Sequence, residues 1–186
     1  MIKTKTKFIL HGGFSQGKKQ QNDLFFQEML KDTPDSVNVL LVYFAEAEEK
    51  VQLRIEQDKE EFNKNKGSKN LHFRVASGVT FEKDCAWAHV VYLHGGRTVK
   101  IMESLSKYPN INQILSGRTV AGDSAGANAL GKLFYSKNSK VIGNGLAILP
   151  LKIVAHYEDG VPNPLASIEP ELEALLLHEY EMKIYE

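Results

Sequence analysis

The segment with the clearest capacity for chemistry is Gly122-Asp123-Ser124-Ala125-Gly126, which has the pattern G-x-S-x-G. It follows the short apolar stretch 119–121 and precedes the small, largely apolar stretch 127–130, so a strand should end and a helix should begin at the serine. Such a turn lifts the serine hydroxyl clear of its neighbours, and a side chain at either glycine would crowd it. Free N–H groups at the helix N-terminus would favour developing negative charge. We therefore predict that Ser124 is a nucleophile; the alternative is a tight turn in which the serine only caps the helix.

A serine nucleophile needs a base, and the base needs a group that orients it. Of the six histidines, His156 closes a predicted strand and is the first to follow the serine, so we predict that it is the base. His11 and His94 are rivals because each also follows a strand, although the glycines beside them could supply backbone donors instead. The other three histidines are assigned to surface or packing positions (His72 and His89) or to a predicted last helix (His178).

The orienting carboxylate is not identified by the sequence. No Asp or Glu lies between Ala125 and Ala155, so the order Ser, Asp/Glu, His of the α/β-hydrolases cannot be built. The acid must follow the histidine or come from upstream, and a Ser–His dyad without an acid is also open. The candidates after the histidine are Glu158, Asp159, Glu179, Glu181 and Glu186.

An oxyanion hole requires backbone donors close to the nucleophile. The N–H of Ala125 directly follows the serine, and the glycine pair Gly95-Gly96 follows a predicted strand. We predict that the N–H groups of Ala125 and Gly96 form the hole; the alternative for the glycine pair is a plain turn.

Predicted strands alternate with predicted helices along the chain, which indicates an α/β fold with a mostly parallel, doubly wound sheet. The strands are predicted at residues 8–10, 37–44, 71–75, 90–93, 119–121, 152–156 and 183–185, and the helices at residues 25–30, 46–66, 101–105, 127–130 and 171–178. Residues 141–149 are predicted to be irregular or a paired strand. Ligands lie beyond the carboxyl ends of the strands in such sheets. The residues predicted at these ends are His11, Gly12, Gly95, Gly96, Ser124 and His156.

Composition excludes several classes of function. The chain has 186 residues, 42% of them hydrophobic, so we expect one domain over residues 1–186. Basic and acidic residues are equal in number (23 each), so we expect no net electrostatic field that would attract nucleic acid or a membrane. No apolar run approaches the ~20 residues of a membrane span. The single cysteine, Cys85, excludes an intrachain disulfide and is expected to be a half-buried core residue of a cytoplasmic protein. Because no metal-ligand spacing or phosphate loop is present, no metal and no cofactor are predicted.

Three segments resemble the peptidase family that contains aspartyl dipeptidase (peptidase E) and cyanophycinase. Residues 90–98, Val-Val-Tyr-Leu-His-Gly-Gly-Arg-Thr, are similar to that family's strand followed by Gly-Gly-Gly-Asn-Thr. Residues 122–128 resemble its nucleophile elbow, and residues 149–157 resemble the stretch that carries its catalytic histidine. The similarity runs in the same order from about residue 8 to the C-terminus.

The resemblance implies a three-layer fold like that of class I glutamine amidotransferases, which is flavodoxin-like. It implies a serine protease that hydrolyses a peptide or isopeptide bond in a small acidic substrate. Its site would use Ser124 as nucleophile, His156 as base, and Gly96 with Ala125 as the oxyanion hole.

Three departures from the family pattern affect these expectations. Arg97 stands where the family has Asn, and we expect it to bind a substrate carboxylate bidentately; an exposed loop arginine is the alternative. Ser139 stands where the family has an aspartate. The family's triad glutamate lies beyond a strand that follows the last helix, and this sequence reaches Glu186 at about that strand. The third triad member is therefore expected to be absent, replaced, or supplied by Glu186 in a shifted register.

We thus expect a serine peptidase that acts on a small peptide or acidic amide, as a monomer or homodimer. One alternative is a catalytically weakened or inactive family member that binds a small ligand, which the unidentified acid favours. Another is a general esterase or amidase that uses the same serine. A glutamine amidotransferase is disfavoured because its nucleophile is a cysteine.

Overall fold

The computed structural model describes residues 5–17 and 19–186. In chain order the elements are β1 (Lys7–His11), α1 (Gln20–Leu30), β2 (Ser36–Val42), α2 (Glu48–Asn65), β3 (Asn70–Val75), α3 (Phe81–Trp87), β4 (Val90–Leu93), α4 (Thr98–Leu105), α5 (Ile111–Leu115), β5 (Thr119–Asp123), α6 (Ala125–Leu130), β6 (Leu133–Ser136), β7 (Val141–Asn144), β8 (Lys152–Ala155), β9 (Ala174–Leu177) and β10 (Met182–Tyr185).

The larger sheet has six strands in the order β10-β1-β5-β4-β2-β3. The strands β1, β5, β4, β2 and β3 run parallel to one another, and β10 is antiparallel to β1 at one edge. Because β1, β5 and β4 are neighbours, their carboxyl ends bring His11, Ser124 and the loop after Leu93 to one edge of the sheet. This confirms the predicted mostly parallel α/β fold.

Helices cover both faces of this sheet, which gives three layers. Buried strand residues alternate between the faces: Val39 and Leu41 pack with α1 and α2, whereas Leu40 and Val42 pack with α3 to α6. A strand that is buried on both faces needs apolar side chains on both. The sequence of β2 is therefore a nearly continuous apolar run.

A second sheet of four strands, in the order β7-β6-β8-β9, packs beside α6. The predicted strand at residues 152–156 is β8, and it belongs to this sheet rather than to the larger one. The backbone N–H of His156 nevertheless donates to Gly12 O at 2.9 Å, so the end of β8 reaches the end of β1.

The helix predicted at residues 171–178 is wrong, because Ala174–Leu177 forms β9, parallel to β8. Ala174 and the three leucines that follow it make a segment of only four residues. Its backbone forms hydrogen bonds with β8 along the edge of β8 that faces away from β6. The short elements α3, α5 and β6 were not predicted, since four to seven residues carry too little periodicity. None of the helices in the described ranges has the length and apolar character that a bilayer crossing requires.

Candidate active site

Ser124 lies in a sharp turn between β5, which ends at Asp123, and α6, which begins at Ala125. Its φ of 49° and ψ of −102° are unusual for a residue with a side chain, and such strain persists only where the surroundings impose it. Two hydrogen bonds hold the turn: Ser124 N donates to His11 O, and Asn128 N donates to Ser124 O, both at 2.9 Å. The predicted strand, turn and helix are therefore present.

The two glycines of the motif allow this turn to pack closely. A Cβ at Gly122 would lie 2.5 Å from Ala127 N, and one at Gly126 would lie 2.1 Å from Leu93 O. Both distances are far below a van der Waals contact, so neither position admits a side chain without displacing backbone.

The structure brings Ser124 and His156 together and identifies a carboxylate behind the histidine. Ser124 Oγ lies 2.9 Å from His156 Nε2, and His156 Nδ1 lies 3.2 Å from Glu179 Oε1. With the proton on Nδ1, the imidazole donates to Glu179 and accepts from the serine hydroxyl. This is the geometry in which a histidine can take the proton of a serine.

Glu179 is one of the five acids that the sequence left open, and three of the others are paired elsewhere. Glu158 forms an ion pair with Lys137, while Asp159 and Glu181 both contact His178. Glu179 could have been identified from its position just after β9, because β9 lies beside β8, the strand that His156 follows. The incorrect prediction of a helix at residues 171–178 prevented this.

His156 is held by the first glycine pair of the chain. Its φ of 55° is left-handed, and its ring packs directly on Gly13, where a Cβ would lie 2.1 Å from the ring carbon Cε1. The ring of Phe14 meets the imidazole edge to face, with centroids 5.7 Å apart. The loop after β1 thus positions the imidazole, a role that the sequence analysis did not assign.

The predicted oxyanion donors belong to Ala125, which directly follows the serine, and to Gly96 in the loop after β4. Gly96 lines the same cleft as Ser124 and has a φ of +138°, which favours glycine. Neither the Gly96 N–H nor the Ala125 N–H donates a hydrogen bond to another residue that the structure describes. Both are free to bind a ligand oxygen, so their role as an oxyanion hole stays a prediction that this geometry allows.

The rival histidines are both buried and paired with other carboxylates. His11 Nδ1 lies 2.7 Å from Asp123 Oδ1, and His94 Nδ1 lies 2.8 Å from Asp58 Oδ2. Burial would raise the pKa of Asp123, but the hydrogen bond and charge of His11, with smaller contributions from His94 and Ser15, hold this pKa below its ordinary value. The imidazole of neither rival is hydrogen-bonded to Ser124 Oγ.

Ser124 and His156 open into a cleft of about 470 Å³, a volume within the range of small-molecule sites. Arg97 does not line this cleft. It is exposed in an adjoining hollow with Thr98, Ser136 and Ser139, and Gly96 borders both spaces. A substrate-binding role for Arg97 remains a prediction, and it would require a substrate that extends past Gly96.

Cys85 is fully buried rather than half-buried, and burial raises the pKa of its thiol to about 12. The thiolate needed for reactivity is thereby disfavoured. Among the residues with described positions, no group of three or more His, Cys, Asp or Glu side chains could hold a metal ion.

Comparison with known proteins finds a family match and similar solved structures. The model of peptidase family S51 matches residues 8–175, most of the chain. A peptidase from an acI-B1 Actinobacterium has a similar structure, with a TM-score of 0.71 at 17% identity over 97% of this chain and 83% of that one. A protein provisionally named peptidase E from Listeria monocytogenes EGD-e has a TM-score of 0.69 at 15% identity, over 98% of this chain and 95% of its own. No curated protein matches the sequence.

The two structural likenesses confirm the fold, and the family match covers the elbow, the glycine loops and the histidine strand. The chain therefore belongs to peptidase family S51.

Proposed function

We propose that this peptidase is of the serine type and cleaves small acidic peptides through an acyl-enzyme on Ser124. The observation that carries the proposal is the chain of contacts from Ser124 Oγ to His156 Nε2 (2.9 Å) and from His156 Nδ1 to Glu179 Oε1 (3.2 Å). A nucleophile, a base and an orienting acid are the parts that acyl transfer at a serine requires.

In the proposed reaction, Ser124 Oγ attacks the carbonyl carbon of the scissile amide while His156 Nε2 takes the hydroxyl proton. The N–H groups of Gly96 and Ala125 donate to the oxyanion that forms. The C–N bond then breaks as His156 Nε2 returns the proton to the leaving nitrogen, which leaves an ester on the serine. Water attacks this ester, giving its proton to His156, and the serine departs with that proton. Throughout, Glu179 accepts a hydrogen bond from Nδ1 and so keeps Nε2 directed at the serine.

Two features of the cleft support the proposed small acidic substrate. The volume of the cleft suits a short peptide, and the cations Lys50 and Arg54 line the cleft together with His94. An anionic group on the substrate would be attracted to these side chains.

The alternative of an inactive, ligand-binding protein is favoured when no triad acid can be identified. The contact of Glu179 Oε1 with His156 Nδ1 supports an active enzyme instead, because it makes Glu179 a candidate for that acid. A general esterase or amidase uses the same three residues and differs only in the substrate accepted.

Hydrolysis of a panel of Asp-X and Glu-X dipeptides and of p-nitrophenyl acetate tests the proposal. The wild-type protein should cleave acidic dipeptides, and Ser124→Ala should lose several orders of magnitude in turnover while circular dichroism stays unchanged. Cleavage that survives Ser124→Ala would contradict the serine mechanism. Turnover of the ester without any dipeptide would identify a general esterase, and no turnover of either would favour the ligand-binding reading.

A further inference from the structure

A second cavity, of about 480 Å³, adjoins the active-site cleft. His156 and Asn138 border both spaces, and Ser124 borders the cleft. The two spaces therefore meet at the proposed base. The acyl-enzyme mechanism described above leaves this cavity without a role.

The walls of this cavity are largely aromatic and aliphatic. Tyr135 of β6 and Val154 of β8 are direct partners in a parallel strand pair, so their side chains share one face of the smaller sheet. The loop that follows β8 contributes Tyr157, Val161 and Pro164 to the lining. Apolar walls around a space of several hundred Å³ are typical of a site for a small ligand group.

Hydrogen bonds hold this loop in place, so the cavity is formed before any ligand binds. Tyr157 OH donates to Val161 O at 2.6 Å, which closes the first turn of the loop. Farther along, the buried ammonium of Lys152 in β8 donates to three backbone carbonyl oxygens, those of Leu165, Ile168 and Glu169. A site that is already ordered loses less conformational entropy when it binds a ligand.

The charged groups of the cavity are exposed to solvent. Lys137 and Glu158 form an ion pair with each other. Lys140 is exposed, and its ammonium forms no ion pair or hydrogen bond with any residue in the described ranges. A charged ligand group would therefore lose its water without gaining a buried partner among these residues, whereas an apolar side chain would gain from burial.

The proposed mechanism determines which part of the substrate can reach this cavity. His156 Nε2 returns the proton to the leaving nitrogen, so the leaving residue must begin within hydrogen-bond distance of that atom. The substrate anion is assigned above to the cleft that Lys50 and Arg54 line. The described residues around the hollow beside Arg97 do not include His156. The cavity that His156 borders is therefore the space open to the leaving residue.

We propose that this cavity binds the side chain of the residue on the leaving side of the scissile bond, and that it selects a large apolar side chain such as that of Leu or Phe. This inference rests on the proposed peptidase function. It assigns the choice of leaving residue to Tyr135, Val154 and Val161, which belong to the smaller sheet and its loop rather than to the motif around Ser124.

The test measures kcat/KM for the dipeptides Asp-Leu and Asp-Gly, which differ only in the side chain of the leaving residue. Wild type should prefer Asp-Leu about tenfold or more. This ratio should fall about threefold in Val161→Asn, which puts an amide in the wall, and further in Tyr135→Ser, which removes a ring from it.

The ratio separates the cavity from general damage, because a partly unfolded variant loses both activities in the same proportion. Val161 is 47% exposed, so its variant keeps the test valid even if Tyr135→Ser destabilises the protein. Val79→Asn is the matched control: Val79 is an exposed valine just before α3, and the ratio should stay at the wild-type value.

A neutral fluorophosphonate probe, which carries no leaving amino acid, separates this inference from the proposed function. A wild-type protein that neither reacts at Ser124 nor cleaves either dipeptide would contradict the proposed function itself. If wild type reacts and cleaves both dipeptides equally well, the apolar subsite alone is contradicted. Full preference for Asp-Leu in both Val161→Asn and Tyr135→Ser, or loss of that preference in Arg97→Met instead, would overturn the subsite as well.

Discussion

At the scale of single residues, we propose that Glu179 orients His156 as the base. This acid is half-exposed and lies 3.2 Å from His156 Nδ1, whereas the triad carboxylates of many serine hydrolases are buried. Solvent competes for a half-exposed carboxylate, so its effect on the imidazole should be smaller than that of a buried acid.

Glu179→Gln should lower turnover on the order of 10²-fold, because the amide can favour the wrong tautomer of His156. The corresponding loss for a buried triad aspartate is about 10⁴-fold. The measurement is kcat on an acidic dipeptide. Glu181→Gln is the matched control: it contacts His178 rather than His156 and should keep its turnover. Equal losses in both variants would show that Glu179 has no specific role.

The residues that could be predicted from the sequence are those whose signal is local. Ser124 and Ala125 stand in one five-residue motif, and His156 and Gly96 each follow an apolar run that is a strand in the structure. Glu179 could not be selected, because its identity depends on β9 lying beside β8, a contact between segments about 20 residues apart. The pairing of His94 with Asp58, 36 residues away, is equally invisible in the sequence.

At the scale of elements, the elbow depends on the close approach of α6 to β4 and β5. The Cα of Gly126 packs against the Leu93 carbonyl, and helix α6 is buried along its whole length. Alanine or glycine at four of the five positions 125–129 allows this approach.

Gly126→Ala should lower the free energy of unfolding by about 1–3 kcal/mol and reduce activity, since the new Cβ would force α6 away from Leu93. The measurement is urea unfolding together with dipeptide turnover. Gly78→Ala is the matched control, because nothing lies within 4 Å of a Cβ at Gly78. A Gly126→Ala variant as stable and active as wild type would contradict the close packing described here.

The elements that could be predicted are those with a continuous apolar run or a long amphipathic stripe, namely β2, β4 and α2. Assignment of strands to sheets could not be predicted in the same way. The sequence of β8 is that of an ordinary buried strand, yet β8 pairs with β6 and β9 in the smaller sheet. The hydrophobic pattern indicates that a strand is buried but not which sheet contains it, because a strand can be buried in either of two packed sheets.

At the scale of the whole molecule, the cleft lies where the two sheets and both helical layers meet. Asp58 comes from α2 on one face, His94 follows β4 in the larger sheet, and His156 follows β8 in the smaller one. Burial would lower the pKa of His94, but the hydrogen bond and charge of Asp58, with the charges of Asp123 and Glu46, raise it above its ordinary value.

This shift predicts a pH-dependent stability. A histidine whose pKa is raised by folding stabilises the protein fully below its unfolded pKa, and the stabilisation is lost as pH rises through the folded pKa. The difference in unfolding free energy between wild type and His94→Gln should thus be largest near pH 6, at about 2 kcal/mol, and should shrink toward pH 9. Urea unfolding at both pH values measures it, with the exposed His72→Gln as control. A difference that grows with pH would show that His94 is not the cation that compensates Asp58.

The proposed activation of Ser124 by His156 is best tested by covalent labelling with a fluorophosphonate, followed by mass spectrometry of the intact chain and its peptides. We expect one probe per chain on Ser124, no labelling of Ser124→Ala, and labelling of His156→Ala slowed by about 10²-fold or more. A wild-type chain that stays unlabelled, or a Ser124→Ala chain that still takes up one probe, would contradict it.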